Sequence, residues 1–560
     1  MGSSGFAAKL APQLDKREPL RLTGAMSKLV DSLSLERRVD ALFSRYAQPG
    51  SPGAVVAVMR GDHVELCKGY GLASVELGVP IGPQTRFRLA SVSKQFTVTA
   101  ALMLAAEGKL KLSDSPHKYL RELAPLPVTI DQMMRNCSGL PDFLELLRLG
   151  GHGLDKPARP ADLYAACVRN THLNFKPGSR FLYSNTNFLL LGLIVERLSR
   201  KKLGDFMAER IFRSLGMSHT MLAAEIDTVI PGLATGYLGD ARQGFRRAAH
   251  AYPQGGEGGL TSSVEDLLIW SRHFDKPSLE PKNLPAQLVA ASPLTGGHAN
   301  GYRRGVGVAK LRGIATAGHG GLWPGYRTEF LRLPGVGLTV VVIANLGSID
   351  PWRLAHAIAV EALHGDKRLK PALPAIEQAE IKPIAGTWFN SEEPSLFDLG
   401  WANGEPVVTQ NGQTFALGRR AGGWFSAERG SFEFALKPGR VGTLSVDLGA
   451  GHVLAFRKLG KRKAVPAAIA GTYVSADSGA TWHARRGGEN YTVAVSGPLV
   501  GGSAPWPVRG LDSDTVELEA PTGWVVATLL ARLERDHSGK IAALVVSTGR
   551  IKRMRFERTA

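Results

Sequence analysis

A pentapeptide occurs twice in this chain. Ile384-Ala-Gly-Thr-Trp388 returns as Ile469-Ala-Gly-Thr-Tyr473, 85 positions further on. The two stretches also end alike, on Val453-Leu-Ala-Phe-Arg457 and on Ile551-Lys-Arg-Met-Arg-Phe556. Between these marks the chain reads as short alternating strands broken by glycine turns. Two stretches that begin and end in the same way point to a duplication. Alternating strands in this number close most simply as small antiparallel β-barrels, expected over 384–460 and 469–560.

Upstream, residues 366–383 carry three prolines among mixed charges and read as a linker. Residues 27–365 have a different texture, expected to form a separate core. Leu29, Leu33, Leu35, Val39, Leu42 and Phe43 are spaced for an amphipathic helix within 27–49. Gly53–Met59 and Val64–Tyr70 flank a Gly61-Asp62 turn and predict a hairpin. Segments 115–275 are mainly helical in pattern, strands return over 303–342 and run on to Gly337–Ala344, and a last helix is expected at 352–363. Strands, then helices, then strands imply an α+β unit, an antiparallel sheet with a helical half, rather than alternating βαβ repeats.

The chain has 560 residues, 44% hydrophobic and 21% charged, enough to bury several cores. Its net charge of +19 raises the question of nucleic acid or membrane. The Lys and Arg are scattered, however, and the densest cluster, Lys458–Lys463, joins the two β units. A basic solvated surface is the expectation, with no nucleic-acid and no membrane partner. Three cysteines, Cys67, Cys137 and Cys167, do not make a disulfide framework. Residues 1–26 read as an N-terminal extension, with Met26 as an alternative start. Charges from Lys9 to Arg21 break any signal-peptide core, so a cytoplasmic location is expected. The histidines lack metal-ligand spacing, and neither a metal nor a cofactor is expected.

Three short motifs carry chemistry. Ser91-Val-Ser-Lys94 follows the extended Phe87-Arg-Leu-Ala90 and precedes an apolar helix. Ser91 then sits near a helix N-terminus, where free N–H groups stabilise an oxyanion, with Lys94 one turn along on the same face. Burial and the positive helix end lower a lysine's pKa and make it a base. The plainer alternative is a Ser cap with a solvated Lys. Tyr183-Ser-Asn185 leads into a helix over Thr186–Leu198. Tyr183 suits a proton relay to a leaving group, and Asn185 a hold on the substrate amide and the lysine amine; the alternative is a capping loop. In Gly318-His319-Gly320-Gly321, a His among glycines beside a strand leaves room for a ligand. His319 would line the cleft, Gly320 and Gly321 would flank substrate, and the N–H of Leu322 would complete the oxyanion hole; the alternative is an exposed bend.

Taken in order, Ser-x-x-Lys, Tyr-x-Asn and His-x-Gly resemble the penicillin-recognising serine hydrolases. Tyr70-Gly71, Asn136-Cys-Ser-Gly-Leu-Pro141 and Gly258-Gly-Leu-Thr-Ser-Ser263 add to the likeness over about 27–365. The resemblance implies a β-lactamase-like fold and an acyl-enzyme mechanism with Ser91, Lys94, Tyr183 and His319 as catalytic residues. Many β-lactamases carry Lys-Thr-Gly in the third element, where this chain has His-Gly-Gly.

With two barrels appended, the chain resembles the D-aminopeptidase branch of that family, which releases N-terminal D-residues from peptides, amides or esters. The likeness implies that a loop of the last barrel, Gly501–Asp514 or Glu519–Gly523, enters the cleft and offers an acid, Asp512, Asp514 or Glu519, to the substrate ammonium. The expected partner is a small peptide or amino-acid amide, and a homodimer is an open assembly. The alternatives are a D,D-carboxypeptidase, β-lactamase or esterase of the same fold, or a peptide- or penicillin-binding protein without turnover.

Overall fold

The two most apolar runs of the first unit, 280 residues apart, lie side by side. Ala54–Arg60 pairs antiparallel with Leu338–Ala344, from Ala54 opposite Ala344 to Arg60 opposite Leu338. Every residue from Ala54 to Met59 and from Leu338 to Ala344 is buried. A strand without a polar face must be covered on both sides, and the period of two divides its side chains between two cores. Val55, Ala57 and Met59 face a helical body that includes Phe96, Phe188 and Trp270. Ala54, Val56 and Val58 face the helices Leu35–Phe43 and Pro351–Ala362 through Val39, Phe43, Leu354 and Ile358. The sheet has six strands in the order 307–311, 314–323, 326–333, 338–344, 54–60, 63–70, all antiparallel.

This computed structural model describes residues 34–559 except 154, 250, 411, 428–433, 441, 500–503 and 522–525. The expected extension over 1–26 and the start of the expected helix over 27–49 lie outside the described residues. The helix that follows Ser91, Ser93–Ala106, is buried from Ser93 to Leu104. An all-round buried helix forms the middle of a core rather than a surface layer. It packs beside Asn185–Ser199, which is buried from Asn185 to Gly192.

The two β units differ in closure. Eight strands from Gly471–Ser475 to Met554–Thr559 form a closed barrel. The preceding unit is one nine-stranded sheet whose edges, Gln413–Ala416 and Gly418–Arg420, are consecutive in sequence, so that it curls into a nearly closed barrel. The repeated pentapeptide has a structural cause. Trp388 Nε1 donates to the Ile384 carbonyl at 2.8 Å, and the Tyr473 hydroxyl donates to the Ile469 carbonyl at 2.9 Å. In both units a large aromatic ring fills the core while its polar tip closes the entry turn. The intervening Gly386 and Gly471 take φ of +118° and +158° there, conformations open to glycine.

The last barrel is docked on the helical body. Leu146 and Leu149 belong to the barrel's own core cluster, and Trp482 Nε1 donates to the Leu149 carbonyl at 2.7 Å. Asp477 accepts from the Thr171 N–H at 2.6 Å and its hydroxyl at 2.8 Å. All three cysteines are free thiols. Among the described residues no helix is long and apolar enough to cross a membrane.

Candidate active site

The turn that carries Ser91 is held by backbone geometry that its sequence does not favour. Phe87–Arg88 pairs with Leu260–Ser262, and Leu89 N–H donates to the Leu260 carbonyl at 2.9 Å. Ala90 then takes φ +49°, a left-handed conformation that costs a non-glycine residue about 1–2 kcal/mol. Ser93 compensates, its hydroxyl donating to the Ala90 carbonyl at 2.6 Å and accepting from Leu260 N–H at 3.0 Å. Ser91 is thereby carried in a single 3₁₀ turn, Ala90–Val92, at the entrance of the buried helix.

Lys94 is fully buried one turn on. Its Nζ donates to Ser91 Oγ at 3.0 Å, to Asn185 Oδ1 at 2.9 Å and to the Glu257 carbonyl at 2.5 Å. Burial lowers its pKa to about 7, and the Arg550 charge pushes in the same direction. Near neutral pH a large fraction of the amine is therefore unprotonated and in contact with Ser91 Oγ. The rings of Tyr183 and Phe188 lie 4.9 and 5.2 Å from Nζ.

Tyr183 and Asn185 are positioned by the 136–142 stretch. Asn136, at φ +52°, accepts from Ser184 N–H at 3.0 Å and Asn187 Nδ2 at 2.8 Å. Asp142, fully buried, accepts at one oxygen from both Asn185 N–H and Asn185 Nδ2, each at 2.9 Å. That contact fixes the amide so that its oxygen, and not its nitrogen, meets Lys94. The Tyr183 hydroxyl interacts with Ser91, and burial pushes its phenol well above the ordinary value, leaving it neutral.

His319 lies inside the strand Ile314–Trp323, not in a bend. Its Nδ1–H donates to the Gly320 carbonyl at 2.6 Å, so Nε2 accepts from the Tyr302 hydroxyl at 3.0 Å. Burial lowers its pKa to about 3 and keeps the ring neutral. The glycines around it serve close packing. A Cβ on Gly321 would fall 2.1 Å from the Leu89 carbonyl oxygen, and one on Gly318 would fall 1.9 Å from that of Phe330. Only glycine at 321 lets this strand approach the nucleophile turn so closely. His319, Gly320, Gly321 and Leu322 line the same cleft as Ser91, Tyr183 and Asn185.

The cleft, about 1010 Å³, is walled by all three units. Glu393 and His452 come from the nearly closed barrel, where Glu393 pairs with Arg180 and His452. Arg550 and Lys552 come from the last barrel. Asp512 and Glu519 are elsewhere. Asp512 accepts from Asp514 N–H within its own turn at 2.9 Å, and Glu519 pairs with Arg509 at 2.7 Å on neighbouring barrel strands. Asp514 pairs with Arg535 at 3.2 Å. None of the three lines the cleft. The parts of the two expected loops at 501–503 and 522–523 lie outside the described residues.

Among the described residues of the last barrel, the loop Thr548–Arg553 enters the cleft. Asn174 clamps it, donating to the Arg550 carbonyl at 3.1 Å and accepting from Lys552 N–H at 2.7 Å, and His172 Nε2 donates to the Lys552 carbonyl at 2.7 Å. Arg550 reaches Asp142 at 3.2 Å and stacks 5.0 Å from the Tyr183 ring centre. Asp142, Tyr302, Asn174 and Arg550 were not anticipated from the sequence. Asp142 had a signal, since it follows Pro141 as the cap of the helix Phe143–Leu149.

Residues 39–363 match the sequence model of the beta-lactamase family. The chain belongs to that family. Among curated relatives, a protein named D-aminopeptidase from Gluconobacter oxydans is 30% identical over 314 residues, 56% of this chain and 59% of the relative. Another of that name from Brucella ovis is 28% identical over 379 residues, 67% of this chain and 70% of the relative. The match to the Gluconobacter protein thus spans about three fifths of its length. Among solved structures, the octameric penicillin-binding protein homologue from Pyrococcus abyssi shares the fold, with a TM-score of 0.54 at 20% identity over 76% of this chain and 100% of that one. The beta-lactamase fold is therefore joined here to a nearly closed and a closed barrel, and the motifs Ser91–Lys94, Tyr183–Asn185 and His319–Leu322 meet at its cleft.

Proposed function

We propose that the chain is a serine hydrolase that releases N-terminal D-amino acids from peptides, amides or esters through an acyl-enzyme, and that 27–365, 384–460 and 469–560 act as its three domains. The observation that carries the chemistry is the 3.0 Å contact between Ser91 Oγ and the buried amine of Lys94, whose pKa is lowered to about 7. Neutral Lys94 takes the Ser91 proton as Oγ attacks the scissile carbonyl. The N–H groups of Ser91 and Leu322 receive the oxyanion. Tyr183, held neutral by burial, donates its proton to the departing amine and takes a replacement from Lys94, which returns to the free amine. Water then attacks the ester, Lys94 taking its proton and handing it to Ser91 Oγ as the acid leaves. His319 holds neither proton nor charge in these steps; locked between Tyr302 and Gly320, it shapes the wall beside the oxyanion hole.

The relatives named D-aminopeptidase support the substrate class. A free N-terminal ammonium needs a carboxylate, and Glu145 offers one: it lines the cleft, and its buried Oε2 has no hydrogen-bond partner. The test is turnover of D-alanine p-nitroanilide beside its L form, its N-acetyl form and a cephalosporin. The free D compound is expected to win, with Ser91→Ala inactive on all four. A preferred N-acetyl compound or lactam refutes the aminopeptidase reading, and activity in the Ser91 variant refutes the nucleophile.

A further inference from the structure

The loop Thr548–Arg553 brings two of its three cations, Arg550 and Lys552, to the cleft and no acid. Thr548, Gly549, Arg550, Ile551, Lys552 and Arg553 contain no carboxylate, whereas an element built to receive an ammonium would need one. We propose that Arg550 and Lys552 form a carboxylate-binding subsite, so that preferred substrates carry a carboxylate close to the scissile bond. This deepens the serine-hydrolase reading above and rests on it for the position of the reacting carbonyl.

The charge pattern of this wall supports the proposal. Arg148 pairs with Glu145, Arg180 with Glu393 and Arg550 with Asp142. Lys552 Nζ donates to the Thr548 carbonyl at 3.0 Å and, among the described residues, forms no ion pair. Lys552 thus lines the cleft without an acid paired to it among the described residues. Asp142 is already supplied by Asn185 N–H, Asn185 Nδ2 and Leu144 N–H, so its contact with Arg550 at 3.2 Å is its fourth and longest. The Arg550 side chain is 32% exposed and lines the cleft.

Position supports it as well. Arg550 stacks on Tyr183, whose hydroxyl interacts with Ser91. A carboxylate held there is about one side chain away from the nucleophile. That distance suits either the free C-terminus of a dipeptide's leaving residue or the side chain of an acidic D-residue. The loop cannot swing away freely, because His172 and Asn174 hold its backbone at three points. A rigid cationic site of this kind discriminates through charged hydrogen bonds, worth on the order of tenfold or more in affinity.

Two substrate pairs test this in the full-length enzyme. D-alanyl-glycine against D-alanyl-glycinamide reports a carboxylate on the leaving side. D-aspartyl against D-asparaginyl p-nitroanilide reports one on the acyl side. In at least one pair the acid is expected to show a kcat/KM at least about tenfold higher, and Arg550→Gln and Lys552→Gln are expected to shrink that ratio towards one. Equal rates within both pairs for the unmodified enzyme overturn the proposal without any variant. If none of the four compounds is turned over, the D-aminopeptidase reading fails. The subsite is then judged by 3-carboxyphenylboronic acid against phenylboronic acid, both of which bond a serine Oγ whatever the natural substrate. Tighter binding of the carboxylated compound that is lost in the two variants supports it, and equal affinity overturns it.

Discussion

Lys94→Met should destroy activity and yet make the protein more stable at low pH. The lysine is fully buried, and burial lowers its pKa from 10.5 to about 7. That difference corresponds to about 5 kcal/mol of destabilisation when the group must be charged in the folded state. The sign follows from proton counting. Below pH 7 folded and unfolded states both hold the proton, and the full penalty applies. Between about 7 and 10.5 the unfolded chain binds a proton that the native one lacks, so stability of the unmodified protein rises with pH. Against the penalty stand the bonds to Ser91, Asn185 and Glu257, about 1 kcal/mol each. Methionine removes both terms, for a net gain of about 2 kcal/mol at pH 6 that vanishes at about pH 8.5 and turns into a small loss by about pH 9. Three units in one chain do not unfold as a single two-state system. The measurement is therefore calorimetry of the catalytic unit's own transition at pH 6, 7.5 and 9, with kcat/KM measured alongside. The rate should fall on the order of 10²-fold or more. A variant no more stable than its parent at pH 6, or a gain that does not shrink as pH rises, would refute the reasoning.

Two further predictions concern positioning. Asp142→Ala frees the Asn185 amide to turn its nitrogen towards Lys94 and should lower kcat about tenfold to a hundredfold. Because the Asp142 charge raises the Lys94 pKa, the acidic limb of the pH–rate profile should move below about 7, a shift that loss of packing alone would not produce. Gly321→Ala places a Cβ 2.1 Å from the Leu89 carbonyl oxygen and must push the strand away from the nucleophile turn. Its kcat should fall about 10²-fold, the scale of a lost oxyanion donor. Gly335→Ala, with nothing within 4 Å of the new Cβ, should match the parent.

The residues that sequence spacing brought forward are those whose chemistry is local. Ser91 and Lys94 are three positions apart on one helical face, and Tyr183 and Asn185 flank a single residue at a helix start, so spacing alone orients each pair. Residues that work across the fold leave no such mark. The Glu257 carbonyl meets Lys94 from 163 positions away, and Arg550 meets Asp142 from 408. The charges from the last barrel follow the same rule: Asp512, Asp514 and Glu519 lie off the cleft, whereas Arg550 and Lys552 reach it from 548–553, which overlaps the Ile551–Phe556 end of that unit. The glycines at 318–321 suggested space for a ligand, but at 318 and 321 that space is filled by the carbonyls of Phe330 and Leu89. A glycine that admits a substrate and one that admits a neighbouring strand look alike in sequence.

The two barrels share one closing device and differ in what they send to the cleft. Both units keep the aromatic-to-carbonyl bond that closes the entry turn, Trp388 to Ile384 and Tyr473 to Ile469, because without it a large buried ring would leave a polar atom unsatisfied. Their loops have diverged. The first unit sends Glu393 to the cleft, where it meets Arg180, three residues before Tyr183. The second sends Arg550 on to Tyr183 and Asp142. Both loops therefore bear on the Pro177–Asn185 segment, one through its arginine and one through its tyrosine and the acid that orients its asparagine. The constraint common to the two copies lies in the barrel cores. The difference that matters for chemistry lies in which charge each unit delivers to the cleft, the acids Glu393 and Glu405 from one and the cations Arg550 and Lys552 from the other.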